Sequence, residues 1–318
     1  MRHALSLLVF CLLLGACSAT PTNQTLVTRS SAAYSLAEPG KLPKALRIPL
    51  NHSKGYLFVQ GSINGDRPSP MMLDTGSSID IIDQGVANRM QLPVVGTGKT
   101  RGIGGTESFN RYGVESLTIG DLDLGVDRAA ALSMYRLTRA LRTSVGGLIG
   151  SYALLPHPFA IDYVKQELVV YNRSTFVPPK DAERIRLEFY GRLPAVRARL
   201  ANGEEVLLII DTGMDNAVSL PMDLATRPGI LATGASGTGQ SRGVGGDIQT
   251  RIGWLKSLDV FGYSLGGVAV TFEPSVHEPR RKDLPVGRIG GQVLQGFRLT
   301  FDARYGAMWA EFSAPVEQ

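Results

Sequence analysis

The chain of 318 residues has only two cysteines, Cys11 and Cys17, and none after them. A body without cysteine has no disulfide and no thiolate metal site, so its stability must come from packing. Histidine is nearly as scarce. His52, His157 and His277 lie far apart, without the paired spacing that metal ligands need, and no metal is expected. No apolar run beyond the N-terminal segment is long enough to span a bilayer. A nucleophile elbow that would support a Ser-His-Asp reading is missing. So is a phosphate loop: Gly96-Thr97-Gly98-Lys99-Thr100 has the tail of one, but Pro93 stands where the first glycine is required. Charge is not concentrated in either sign. A net +5 spread along the chain is too diffuse to argue for nucleic acid, although it favours contact with anionic lipid headgroups. Arg136, Arg139 and Arg142 recur at helical spacing and read as a solvated face. Arg280-Arg281-Lys282, set between prolines, reads as an exposed loop.

The N-terminus has the shape of an export signal. Arg2 supplies a positive start and Leu5 through Leu14 a short apolar stretch, too short to cross a membrane. It ends in Leu14-Gly15-Ala16-Cys17, which resembles a bacterial lipobox. Residues 1–16 are therefore expected to be a lipoprotein signal peptide, with Cys17 the lipidated first residue of the mature chain. Several acyl chains on one residue anchor stably where a single chain does not. Ser18 follows rather than Asp, which points to the outer membrane, facing the periplasm. Residues 17–45, rich in Ser, Thr, Ala and Pro, read as a flexible tether.

The body is built on an internal repeat. Asp74-Thr75-Gly76-Ser77 follows the apolar Met71-Met72-Leu73, and Asp211-Thr212-Gly213-Met214 follows Leu207 through Ile210. Downstream, Thr100-Arg101-Gly102-Ile103-Gly104-Gly105 is answered by Ser241-Arg242-Gly243-Val244-Gly245-Gly246. Gly147-Leu148-Ile149-Gly150 is answered by Gly287-Arg288-Ile289-Gly290, and Phe159 through Asp162 by Leu299 through Asp302. Four matches in one order outrank local propensity in reading a fold. They divide the body into lobes at 46–172 and 183–318, with Arg173 to Ala182, containing Pro178-Pro179, as linker. Tyr56 to Ile63 and Ala195 to Leu200 read as strands closed by Asn64-Gly65 and Asn202-Gly203 turns. Short helices are expected near Asp83 to Met90 and Met222 to Thr226.

Each lobe resembles one subunit of a retropepsin: hydrophobic strand, Asp-Thr-Gly, Gly-rich hairpin, then apolar-apolar-Gly. The chain is similar to bacterial aspartyl protease family proteins in which two such subunits are fused. The resemblance implies a mostly β fold of two β-barrel lobes related by pseudo-two-fold symmetry. It also implies an aspartic endopeptidase that needs no cofactor, acts as a monomer and binds an extended peptide or protein substrate. Asp74 and Asp211 would form the dyad. Gly76 and Gly213 would allow close backbone approach, and Thr75 and Thr212 would bond across to the opposite loop. Arg101 to Gly105 and Arg242 to Gly246 would be flaps that close over the substrate, and Ser78 and Asp215 would contact its backbone.

Two departures from the family pattern stand out. Ser77 can donate a hydrogen bond to Asp74 whereas Met214 cannot, so Asp74 is expected to carry the charge and Asp211 the proton. Retropepsins place Arg directly after the apolar-apolar-Gly, where this chain has Ser151 and Gly291. These departures are the support for a rival reading, a non-catalytic peptide-binding lipoprotein of the same fold.

Overall fold

The computed structural model describes residues 10–11, 43–102, 104–243, 246–274 and 285–313. The rest of the expected signal peptide, Cys17, most of the tether, the flap-tip residues Ile103, Val244 and Gly245, and the Arg280-Arg281-Lys282 loop lie outside the described residues. The protein is mostly β, with two similar sheet-rich lobes.

In each lobe a four-strand arrangement carries the Asp-Thr-Gly loop. In the first, Ser69–Asp74 runs parallel to Gly147–Gly150, which is antiparallel to Ile81–Asp83, which is parallel to Arg128–Leu132. In the second, Glu205–Ile210 runs parallel to Val286–Ile289, which is antiparallel to Val218–Pro221, which is parallel to Tyr263–Glu273. Strands covered on both faces read as continuous apolar runs rather than alternations. Met71, Met72 and Leu73 are all buried, as are Leu207 through Ile210. The Gly-x-x-Gly strands are glycine-bounded because a neighbouring strand crosses closely. A Cβ on Gly147 would sit 2.3 Å from the Ile81 carbonyl oxygen, and one on Gly287 2.3 Å from that of Ser219.

The hairpins entering each loop fall where the sequence places them. Tyr56–Ile63 turns at Asn64 (φ +49°) and Gly65 (φ +71°) into Ser69–Asp74. Leu193–Leu200 turns through Asn202-Gly203 into Glu205–Ile210. Helix Gln84–Arg89 is capped by the Asp83 side chain, which accepts from the Gly85 amide, and Met222–Thr226 forms a 3-10 turn. Helix Tyr135–Leu141 buries Leu137 and Leu141 and leaves Arg136 and Arg139 in solvent.

A third sheet joins the lobes. Its order is Glu183–Arg186, Ala307–Phe312, Phe297–Asp302, Phe159–Asp162, Glu167–Tyr171, Ala45–Pro49, three strands from each half of the chain. The central pair is antiparallel, with Ala160 opposite Thr300, Phe159 opposite Phe301 and Ile161 opposite Leu299. Ala160 and Thr300 are repeat equivalents, so the pseudo-two-fold axis passes between them. Phe159 and Phe301 stack with ring centroids 4.7 Å apart. Residues 172–182, between the halves, contain neither strand nor helix. At the far edge of the second lobe's sheet, Phe10–Cys11 runs parallel to Arg242–Gly243.

Candidate active site

The two Asp-Thr-Gly loops meet at the ends of Ser69–Asp74 and Glu205–Ile210, and four buried hydrogen bonds tie them together. The Thr75 hydroxyl donates to the Ile210 carbonyl at 2.6 Å, and the Thr212 hydroxyl donates to the Leu73 carbonyl at 2.9 Å. Each hydroxyl also accepts the other threonine's amide, at 3.0 and 3.2 Å. Each threonine thus reaches across the pseudo-two-fold, and the loops are held as one unit. The glycines press against the opposite carboxyl. A Cβ on Gly76 would lie 2.4 Å from Asp211 Cγ, and one on Gly213 would lie 2.4 Å from Asp74 Cγ. Any larger residue there would push the lobes apart.

Asp74 and Asp211 are fully buried, and burial raises both pKa values because it disfavours the charged form. The two then diverge. Asp74 is raised well above the usual carboxylate range, by burial first and by the neighbouring Asp211 second. The Gly76 and Ser77 amides oppose this without closing a full hydrogen bond to either Asp74 oxygen. Asp211 is raised by burial, but Arg288 opposes it by charge and by hydrogen bond. The two carboxyls titrate as one coupled pair, and the cation beside Asp211 favours its ionised form.

The groups around the pair are not those expected from the sequence. Ser77 does not serve Asp74: its hydroxyl donates to the Ile79 carbonyl at 2.7 Å. Met214 is buried against Gly290, whose Cβ would lie 2.6 Å from Met214 Cε. The cation that separates the two carboxyls is Arg288, whose Nη1 lies 3.4 Å from Asp211 Oδ2. Arg288 is 1 % exposed. It also bonds to Glu273, in a close ion pair, and to the Ser219 hydroxyl at 3.2 Å. Ser219 in turn donates to Glu273. Sequence reasoning passed over Arg288, although a charged residue opposite Leu148 in an otherwise apolar repeat was a visible signal.

Ser151 and Gly291 occupy the place of the absent family arginine and brace the loops through short bonds. The Ser151 hydroxyl donates to the Thr75 carbonyl at 2.5 Å and its amide to the Ser77 carbonyl at 2.8 Å. The Gly291 amide donates to the Met214 carbonyl at 2.7 Å. Asp80, also unremarked in the sequence, accepts the Gly150 amide at 2.8 Å, and burial pushes its pKa up to about 7. In the second lobe the Ala217 carbonyl takes that role, accepting from Gly290 at 2.9 Å.

Ser78 and Asp215 flank the loops, and both are half-buried. Asp215 packs on the Lys54-Gly55 turn of the first lobe, where a Cβ on Gly55 would lie 2.8 Å from Asp215 Cβ. Burial raises it to about 6, and its Oδ1 has no partner among the described residues. The flap arms are hairpins, with Arg101 opposite Thr106 and Gly102 opposite Gly105, and with Arg242 opposite Asp247 and Gly243 opposite Gly246. Gly105 and Gly246 take φ of +140° and +128°, open only to glycine without strain. The tips approach each other: a Cβ on Gly246 would lie 4.0 Å from the Gly104 carbonyl oxygen. Among the described residues no group of three His, Cys, Asp or Glu is placed to hold a metal ion.

No curated protein matches the chain. A family model described as aspartyl protease matches residues 59–152 and, a second time, 196–293. Each match spans one lobe's entry hairpin, Asp-Thr-Gly loop, flap and Gly-x-x-Gly strand, and together they cover more than half of the sequence. By this double match, and by two loops that place one aspartate each at a common centre, the chain belongs to the aspartyl protease family.

Proposed function

We propose that this protein is an envelope-anchored aspartic endopeptidase in which Asp74 and Asp211 activate one water against a peptide carbonyl. The observation that supports this most is a fully buried carboxyl pair, one member from each repeat, with the Arg288 guanidinium against Asp211. Hydrolysis of an amide needs a base to take a proton from water and an acid to donate to the carbonyl oxygen. Asp211, facing Arg288, is the carboxylate that takes the water's proton as its oxygen bonds to the carbonyl carbon. Asp74, holding the shared proton, donates to the carbonyl oxygen and stabilises the tetrahedral species. Collapse breaks the carbon–nitrogen bond, the nitrogen leaves with a proton, and the dyad returns to its singly protonated state. An extended peptide would lie between the loops and the flaps, held by strand-like backbone pairing. Both halves of the site are on one chain, so a monomer suffices.

The test is cleavage of a peptide library by the purified protein, with pepstatin as inhibitor control. A bell-shaped rate profile on the acid side of neutrality is expected. Rate falls at low pH when Asp211 gains a proton and at high pH when Asp74 loses its own. A rate that keeps climbing into alkaline pH contradicts the dyad. Retained peptide binding with no turnover at any pH supports the non-catalytic peptide-binding reading instead.

Anchoring rests on the lipobox-like Leu14-Gly15-Ala16-Cys17. Cys17→Ala is expected to release the protein into the soluble fraction or leave an uncleaved precursor, as read by fractionation and intact mass. Normal processing and unchanged membrane partition in that variant would remove the anchor from the proposal.

A further inference from the structure

The two lobes differ most at one place in their shared strand ladder. Leu148 in the first lobe pairs with Met72 and Ile81, and Arg288 in the second pairs with Ile209 and Ser219. Leu132 is matched in the same way by Glu273, each lying two residues along from the residue opposite Ile81 or Ser219. Ile81, Leu132 and Leu148 thus correspond to Ser219, Glu273 and Arg288. In the first lobe all three are apolar and pack in one buried cluster with Phe58 and Met72. In the second lobe all three are polar, all are buried, and all bond to one another. Buried charge is costly unless paired and fully hydrogen-bonded. Apolar side chains serve the equivalent ladder positions of the first lobe, so packing alone does not call for ions here. What the polar set adds is a cation against Asp211, with nothing comparable against Asp74 among the described residues.

We infer that Arg288 is a positioning residue that makes Asp211 the base of the dyad, with Glu273 and Ser219 holding its guanidinium in place. This rests on reading the dyad as hydrolytic. In a retropepsin-like dimer the two carboxyls would be equivalent and either could hold the proton. Here the fused chain has let one lobe specialise. Glu273 and Ser219 accept from Nη2 of the guanidinium, and Nη1 faces Asp211. The groups that bear on Asp211 are Asp74 from the opposite loop, Arg288 from the adjacent strand, Asp215 four residues on, and Tyr163 from the turn after Phe159–Asp162. Arg288 is the one cation among them. The inference predicts a water activated from a fixed side of the cleft, and so a single preferred direction for the bound peptide.

The experiment uses two variants of the full chain with opposite expected signs. The triple variant Ser219→Ile, Glu273→Leu, Arg288→Leu copies the apolar set of the first lobe and so preserves packing. Loss of the cation moves the acid limb of the kcat/KM profile up by about one to three pH units, and the fall at a fixed acid pH is in kcat rather than KM. Glu273→Gln keeps Arg288 and removes the anion that competes for it, so the acid limb moves down. The Asp211 carboxyl carbon, followed by NMR in aspartate-labelled protein, should titrate in the same two directions. Circular dichroism and thermal melting establish folding. A merely structural role moves neither limb in opposite senses. If the folded triple variant keeps the parent's acid limb and Asp211 titration, or if both variants shift in one direction, the inference is overturned. Should the triple variant not fold, Glu273→Gln decides alone, by a downward move or its absence. If the parent protein hydrolyses no peptide, the proposed activity fails on its own, and the carboxyl titration still tests Arg288.

Discussion

Asp74→Asn and Asp211→Asn should each lower kcat/KM for peptide hydrolysis by about 10⁴-fold or more, a loss of about 5 kcal/mol of transition-state stabilisation. On the proposed mechanism each change removes one of the two proton-handling groups around a single water. The double variant should be little worse than either single one, because the carboxyls act as a unit and their losses do not add. The variants should differ in stability. Burial first and the nearby Asp211 second favour the neutral form of Asp74, and an uncharged amide relieves both. Asp211 faces Arg288 at 3.4 Å, so its replacement takes a carboxylate away from the buried guanidinium. Asp74→Asn should therefore melt at or above the parent temperature and Asp211→Asn below it. The measurements are steady-state turnover of a cleavable peptide and thermal melting of the same preparations. Near-parent turnover in either folded variant would exclude the two-aspartate mechanism.

Much of this fold was legible because the repeat is long and its punctuation is physical. Asn64-Gly65 and Asn202-Gly203 mark hairpin turns whatever surrounds them, and strand Tyr56–Ile63 has the bounds expected of it. The pairing of Thr75 and Thr212 across the axis followed from the family resemblance and is present in the structure. The polarity of the dyad was not legible. Ser77 adjoins the Asp-Thr-Gly of the first lobe, but adjacency in sequence does not set where a hydroxyl points, and the turn aims it at the Ile79 carbonyl. The residues that do set the polarity come from three separate strands. Ser219, Glu273 and Arg288 meet only through ladder pairing, which no local pattern encodes. The lone hint was a mismatch within the repeat, Arg288 against Leu148. The central pairing of the interlobe sheet was hidden for a similar reason. The repeat aligns Phe159 through Asp162 with Leu299 through Asp302, but similarity between two segments does not show that they are neighbours.

Gly213→Ala should nearly abolish activity while the protein still folds, and Gly76→Ala should do the same from the other side of the axis. Neither glycine has a left-handed φ, so alanine is conformationally acceptable at both, and any effect comes from the volume of one methyl group. That methyl would begin 2.4 Å from the Cγ of the opposite aspartate, well inside the separation that carbon atoms tolerate, which is roughly 3.5 Å or more. The carboxyl cannot swing aside at no cost, because it is fully buried and the Thr75–Thr212 bonds clamp both loops. The strain is therefore relieved by moving one loop about 1 Å from the other, and a misplacement of that size costs about 10²-fold in rate. Added methyl groups in a packed interior also cost about 1–3 kcal/mol of stability. Gly266→Ala is the control: that glycine is exposed, has no left-handed φ, and its Cβ would meet nothing within 4 Å. It should leave turnover and melting temperature unchanged. Turnover of both dyad-glycine variants and of the control, with melting curves on the same samples, separates the outcomes. Parent-like turnover in Gly213→Ala would mean that the loops are not pressed together as described, and that the separation of the two carboxyls is looser than one shared proton requires.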